Sequence, residues 1–225
     1  MRMTRTCQAG PDAILFDLDN TLCTFIDAKK AACRAAIETI GSGDAEELFE
    51  YFRRPVHHFE DTAHIGDYLK DTRVYTREIE EEAAEVFESV KLETINLYPG
   101  VTGILTALIS EGIRVAIVTD AHSSHALRRM EKTGLDRVIR TLVTPDRSGK
   151  RKPDHTPFLM AMQELDADPE RTWVVGDSLL REIVPGLELG LTTIFCRYGD
   201  WYHLDRPDIT PHFTLDRFSD LMDLP

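Results

Sequence analysis

Two carboxylates, Asp17 and Asp19, end the short apolar run Ile14-Leu15-Phe16. Residues i and i+2 of a strand share a face, so both acids are expected at one spot where that strand ends. Open parallel α/β sheets place their ligands at this carboxyl edge. Two close carboxylates repel and call for a cation or a shared proton. One is then suited to attack as a nucleophile and the other to move a proton. Taken alone, the segment fits equally a strand that runs into a polar turn, with Asp19 or Asn20 capping a helix.

Other chemistry-bearing residues follow the same rule of position. Thr119-Asp120 closes the β-branched run 113–118, and Lys152-Pro153 lies in a basic loop, Lys150-Arg151-Lys152. Gly176-Asp177-Ser178 ends the run Trp173-Val174-Val175, with Glu182 five residues beyond Asp177. If these strands are parallel, carboxylates, a hydroxyl and an ammonium converge on one cleft. Hard oxygen ligands suit magnesium, and a lysine beside the metal neutralises charge on a transferring phosphoryl group.

The elements that must position these groups alternate along the chain. Strands are expected at 13–17, 113–119, 138–143, 173–175 and 192–196, the last of these being the final strand the pattern supports. Apolar residues at helical spacing predict a helix over 28–40, stopped by Gly41-Ser42-Gly43, and a short one over 44–53. Residues 55–75 are mixed. Ile79, Ala83, Val86 and Val90 form a helical stripe, with Glu78 to Glu82 as its solvated face. Helices with Ile104 to Ile109, with Leu127 and Met130, and with Phe158 to Leu165 follow. Ser123 or Ser124 is expected to cap the second of these, and Thr156-Pro157 to open the third. Pro185 belongs in the first turn of the helix that Gly190 ends. Strands separated by helices predict an α/β, doubly wound parallel sheet. The stretch 24–96 has little strand character and reads as a small all-helical domain inserted after the first strand, leaving 1–23 and 97–225 as the α/β core.

In order and spacing these motifs resemble those of the haloacid dehalogenase superfamily, on its phosphatase side. Asp17-Leu18-Asp19-Asn20-Thr21 is similar to its first motif, Thr119 to the second, Lys152 to the third, and Gly176-Asp177 with Glu182 to the fourth. The helical insertion resembles the cap of one large branch of the family. The resemblance implies a HAD-like Rossmannoid core with a cap domain that chooses the substrate, and a magnesium-dependent phosphatase acting on a small phosphorylated metabolite through an aspartyl-phosphate. It implies Asp17 as nucleophile and Asp19 as acid and base. Thr119, Asp120 and Lys152 would hold the phosphoryl group. Asp17, Asp19 (through its carbonyl), Asp177 and Glu182 would serve the metal, with Glu182, where Asp is commoner, either orienting Asp177 or holding a metal-bound water. Asp19 argues against a dehalogenase, which lacks that acid. A sugar-phosphate mutase shares the core and is the alternative reading, ahead of a receiver-like module phosphorylated on aspartate or a catalytically dead binding protein.

Composition narrows the partners. With 225 residues, 42% hydrophobic, and a net charge of -13, the chain suits a soluble globular protein and opposes binding to nucleic acid or an anionic membrane. Cys7, Cys23, Cys33 and Cys196 show neither a CxxC pair nor zinc spacing and read as reduced thiols. No signal-like or membrane-spanning run is present, so a cytoplasmic protein is expected, and monomer and homodimer stay open. His57, His58 and His64 are expected as solvated loop residues, Arg53-Arg54 as a surface pair, and Trp173 as core. Arg197 and Tyr198 either line the cleft rim or cover the sheet edge.

Overall fold

The computed structural model describes residues 10–225; Cys7 and the leading segment with Arg2 and Arg5 lie outside the described residues. The chain divides into two compact units, Met1–Thr24 with Leu97–Pro225, and Phe25–Asn96. From β1 (Ala13–Phe16) the chain enters the second unit, formed by α1 (Phe25–Ile40), α2 (Ala45–Phe52), α3 (Ala63–Asp71) and α4 (Arg77–Thr94). It returns through α5 (Val101–Ser110), β2 (Arg114–Val118), α6 (Ser123–Thr133), β3 (Thr141–Val143) and α7 (Pro145–Ser148). The last elements are α8 (Thr156–Leu165), β4 (Thr172–Gly176), α9 (Val184–Glu188), β5 (Thr192–Cys196) and β6 (Phe213–Leu215).

Six parallel strands form one sheet in the order β3-β2-β1-β4-β5-β6. The chain winds outward from β1 through β2 to β3, then crosses back to place β4 on the other side of β1. This reversal leaves a crevice beyond the carboxyl ends of β1 and β4, the usual ligand position of such sheets. Strand β1 is buried at every position, as an apolar run covered on both faces should be. Leu15, Ala116, Val118, Val143 and Val174 form one layer with Phe158, Ala161 and Met162 of α8. Full burial of a side chain such as Phe158 contributes about 1.5–3 kcal/mol. On the other face, Phe16 meets Phe218 with ring centroids 6.0 Å apart.

Several expectations are corrected. The third strand is only Thr141–Val143, because Leu135–Arg137 forms a turn of 3-10 helix ahead of it. An added edge strand, β6, pairs with β5. The cap of α6 is His122, whose Nδ1 accepts from Ser124 N, while the Ser123 amide donates to Asp146. In α6 the inward residues are Ala126, Arg129 and Met130, and Leu127 is exposed. At the start of α8, Asp154 Oδ1 accepts from both the amide and the hydroxyl of Thr156. Trp173 is half-buried beside Phe213. Pro185 stands in the first turn of α9, as expected, and a wide π-helical turn, Leu179–Ile183, precedes that helix. Proline has no N–H to bond backward, so a turn of different pitch ahead of it avoids one lost bond.

The helical unit has its own core. Asp44 and Thr76 cap α2 and α4 by accepting from Glu47 N and Ile79 N. Phe52 and Phe87 stack 4.7 Å apart. In α4 the buried face is Ala83, Phe87 and Lys91, with Ile79, Val86 and Val90 flanking it at half burial. Within the mixed stretch lies α3, and its His64 is fully buried rather than solvated, packed against Phe52 and His57. His57 pairs with Asp67 at 2.9 Å and His58 is exposed. Lys29 is also fully buried, its ammonium 4.1 and 3.6 Å from the ring centres of Phe52 and Phe59, and it donates to the Phe59 carbonyl. Arg53 and Arg54 make surface ion pairs with Glu50 and Asp71. Glu78, Glu81 and Glu82 are exposed, whereas Glu80 is half-buried and accepts from Tyr75. No helix among the described residues is long and apolar enough to cross a membrane.

Candidate active site

Three strand ends and one loop bring the site together. Asp17 follows β1, Thr119 follows β2 and Asp177 follows β4, all buried. The Asp17 and Thr119 amides continue the ladders, donating to Val175 and Val143. Lys152 reaches in from the loop before α8, and its position is set by its own amide, which donates to Asp120 Oδ1 at 2.9 Å. Arg151 ties the same loop to the Asp120 carbonyl at 2.6 Å.

At the centre, Lys152 Nζ lies 2.5 Å from Asp17 Oδ1, 2.7 Å from Glu182 Oε1 and 2.9 Å from the Val118 carbonyl. The second oxygen of Asp17 accepts from the Thr21 hydroxyl at 3.2 Å. Burial alone would lower the Lys152 pKa, but the carboxylates of Asp17, Glu182 and Asp120 outweigh it and raise it. The lysine is therefore a fixed positive charge.

Glu182 is brought beside Asp177 by the π-helical turn, in which Ile183 N bonds five residues back to Ser178. Its other oxygen accepts from the Ser178 amide at 3.0 Å. Gly176 makes room for it: a Cβ there would lie 2.3 Å from Glu182 Cγ. Carboxylate oxygens of Asp17, Asp177 and Glu182 all lie within 4.8 Å of one another. Arg181, half-buried, is 3.4 Å from Asp177. Burial pushes the carboxyls of Asp177 and Glu182 upward. Counted in their ionised forms, the three carboxylates exceed the two cations Lys152 and Arg181 by one charge, and a bound cation would offset the burial that opposes ionisation. A buried all-oxygen set with excess negative charge fits a hard divalent cation.

The other predicted residues have separate surroundings. Asp19 does not join this cluster by its side chain; its Oδ2 accepts from Arg129 Nη1 at 2.5 Å. Thr119 Oγ1 accepts from the Ala121 amide. Tyr198 donates to the Thr21 carbonyl at 2.7 Å and meets Tyr98 edge-on, while Arg197 pairs outside with Asp216. Behind them Gly199 packs so closely that a Cβ would lie 1.9 Å from the Asn20 carbonyl. This contact fixes the turn carrying Asp19, in which Asn20 takes φ 62°. Cys23, Cys33 and Cys196 are free and buried, and burial pushes the Cys33 thiol up to about 12.

Arg129, Arg181 and Gly199 escaped the sequence reading. The only signal for Arg129 was its spacing from Ala126 and Met130 on an inward helix face, which an arginine next to Arg128 does not advertise.

The chain is similar to known proteins over most of its length. Residues 14–196 match the model of the haloacid dehalogenase-like hydrolases. The chain is 30% identical over 217 residues to phosphoglycolate phosphatase of Aquifex aeolicus, covering 94% of this chain and 95% of that one. It is 25% identical over 210 residues to ribulose-1,5-bisphosphate 5-phosphatase of Halopiger xanaduensis, covering 81% and 83%. A Bacillus subtilis HAD-hydrolase solved with magnesium bound shares the fold at a TM-score of 0.75 and 17% identity, covering 96% and 98%.

Proposed function

The chain belongs to the haloacid dehalogenase-like hydrolases, on the phosphatase side of that family, and on that premise we propose that it hydrolyses a small phosphorylated metabolite through a phosphoryl group carried on Asp17. The observation that carries this reading is the pairing of Asp17 with buried Lys152 at 2.5 Å, inside a cluster of carboxylates within 4.8 Å. Lys152 holds the Asp17 carboxylate in place by a direct ion pair.

In the first half-reaction an Asp17 oxygen bonds to phosphorus and the ester P–O bond breaks. Asp19 gives the departing oxygen its proton. In the second, water attacks the phosphorus, Asp19 takes a proton from it, and the bond to Asp17 breaks, releasing inorganic phosphate. The Thr119 hydroxyl, the Asp120 amide and the Lys152 ammonium hold the phosphoryl oxygens as charge develops. Magnesium would be held by Asp17, Asp177 and the Asp19 carbonyl, and when bound it supplies charge neutralisation at the phosphoryl oxygens. Glu182, held by Lys152 and the Ser178 amide, orients the Asp177 side of the set.

Relatives that act on phosphoglycolate and on a sugar bisphosphate support a small, anionic metabolite, as expected of a cytoplasmic enzyme. The helical unit, Phe25–Asn96, is the part we assign to substrate choice. The reading is tested by magnesium-dependent release of phosphate from an aryl phosphate, followed by a panel of phosphorylated metabolites. Turnover is expected with magnesium and not with excess chelator; no turnover with either the aryl ester or the panel overturns it.

A further inference from the structure

The two acids of one motif are held by different cations on different elements. Asp17 is engaged by Lys152 and Thr21. Asp19 is engaged by Arg129 of α6, a residue 110 positions away, at 2.5 Å; its other oxygen faces the Cys23 thiol at 3.7 Å. Arg129 is only 3% exposed and sits in the inward stripe with Ala126 and Met130. Its stem is therefore packed, and its guanidinium is a directed donor instead of a mobile charge.

We propose that Arg129 is a positioning residue for Asp19, a role that rests on the reading of Asp19 as the acid and base. Lys152, the cation at the centre of the site, is already shared by Asp17 and Glu182, whereas Asp19 is paired with Arg129. An Asp19 that lost this ion pair would be held less firmly against the pull and repulsion of the charges around Asp17. A proton donor must stand within hydrogen-bond reach of the departing oxygen, and misplacement by about 1 Å costs on the order of 10²-fold in rate. Arg129 acts through Asp19, by keeping the second acid apart from the first.

The test is a cycle of Arg129→Met, Asp19→Asn and the double variant, assayed on an alkyl and an aryl phosphate. Methionine keeps much of the packed stem and removes the guanidinium. The alkyl ester leaves as a poor leaving group and depends more on the proton donor. Arg129→Met is expected to lower kcat on the alkyl ester about 30- to 100-fold, with KM within about two-fold, and to lower it less on the aryl ester. In the Asp19→Asn background the same change is expected to cost no more than about two-fold. Arg129→Lys should recover part of the loss, and if Arg129→Met fails to fold, it serves in its place, with a loss of about ten-fold that vanishes beside Asp19→Asn. An undiminished kcat on the alkyl ester, or an equal loss with and without Asp19, overturns the proposal. A fully active Asp19→Asn defeats the reading of Asp19 and this role with it. An inactive Asp19→Asn beside an unimpaired Arg129→Met defeats this role alone.

Discussion

At the carboxyl edge of the sheet, Lys152 is buried against two carboxylates, those of Asp17 and Glu182. In the helical unit, Lys29 is buried just as completely, but against the ring faces of Phe52 and Phe59 and a backbone carbonyl. Both arrangements stabilise an ammonium away from water. The first places it among carboxylates that outnumber the local cations, so the charge is left unbalanced toward a further cation and an incoming phosphoryl group. The second sets the ammonium over ring quadrupoles and against a backbone carbonyl, contacts that anchor a helix. What marks the first site is the set of carboxylates that meets at its lysine.

The comparison can be broken most severely at Asp17. Asp17→Asn is expected to reduce turnover of an aryl phosphate by at least about 10³-fold, because it removes the attacking oxygen's charge; retained turnover in a steady-state assay would erase the distinction between the two regions. Next comes the paired test of the lysines. Lys152→Met should cut kcat on the order of 10²-fold or more, whereas Lys29→Met should leave kcat on the same ester within about two-fold and register as a change in melting temperature. Equal losses in activity would contradict the contrast.

Magnesium offers a smaller, thermodynamic effect. A ligand at about 100 times its Kd stabilises the folded state by about 2.7 kcal/mol, so magnesium should raise the melting temperature of the wild-type protein and leave Asp177→Asn largely unmoved. The smallest effect is expected in the helical unit at His64. Among the described residues neither ring nitrogen of this buried histidine has a hydrogen-bond partner of normal geometry, and an unsatisfied buried polar group costs about 1–3 kcal/mol. His64→Phe should therefore stabilise the fold by about 1 kcal/mol, or about 2–4 °C in melting temperature. Burial and the neighbouring His57 lower the His64 pKa. A depressed folded pKa means the unfolded chain binds the extra proton first, so stability is lost as pH falls below about 6.5. The advantage of His64→Phe should accordingly widen between pH 8 and pH 5.5 in thermal melts.

The contrast also governs how much was legible in the sequence. Asp17, Thr119 and Asp177 announce themselves because each ends an apolar run, and a parallel sheet must bring such ends to one edge. Glu182 follows from its spacing beyond Asp177, and Lys152 from its basic loop and its likeness to the family's third motif. Arg129 carries no such local mark, since its inward position depends on how α6 packs. The same holds for α3, whose residues 63–71 contain Gly66, one histidine and one lysine on a short amphipathic helix, and whose Thr62 makes no side-chain cap bond. Strand β6 has three residues and exists only because β5 offers an edge. Features written in local pattern were readable, and features that depend on a partner element were not.

The central claim is that phosphoryl transfer passes through Asp17. Acid-quenching the enzyme during turnover of an aryl phosphate with magnesium, then mapping its peptides by mass spectrometry, tests this directly. The account predicts the mass of one phosphoryl group on the peptide bearing Asp17, absent from Asp17→Asn. An unmodified Asp17 peptide in an enzyme that is releasing phosphate, or a phosphoryl group on another residue, would contradict it.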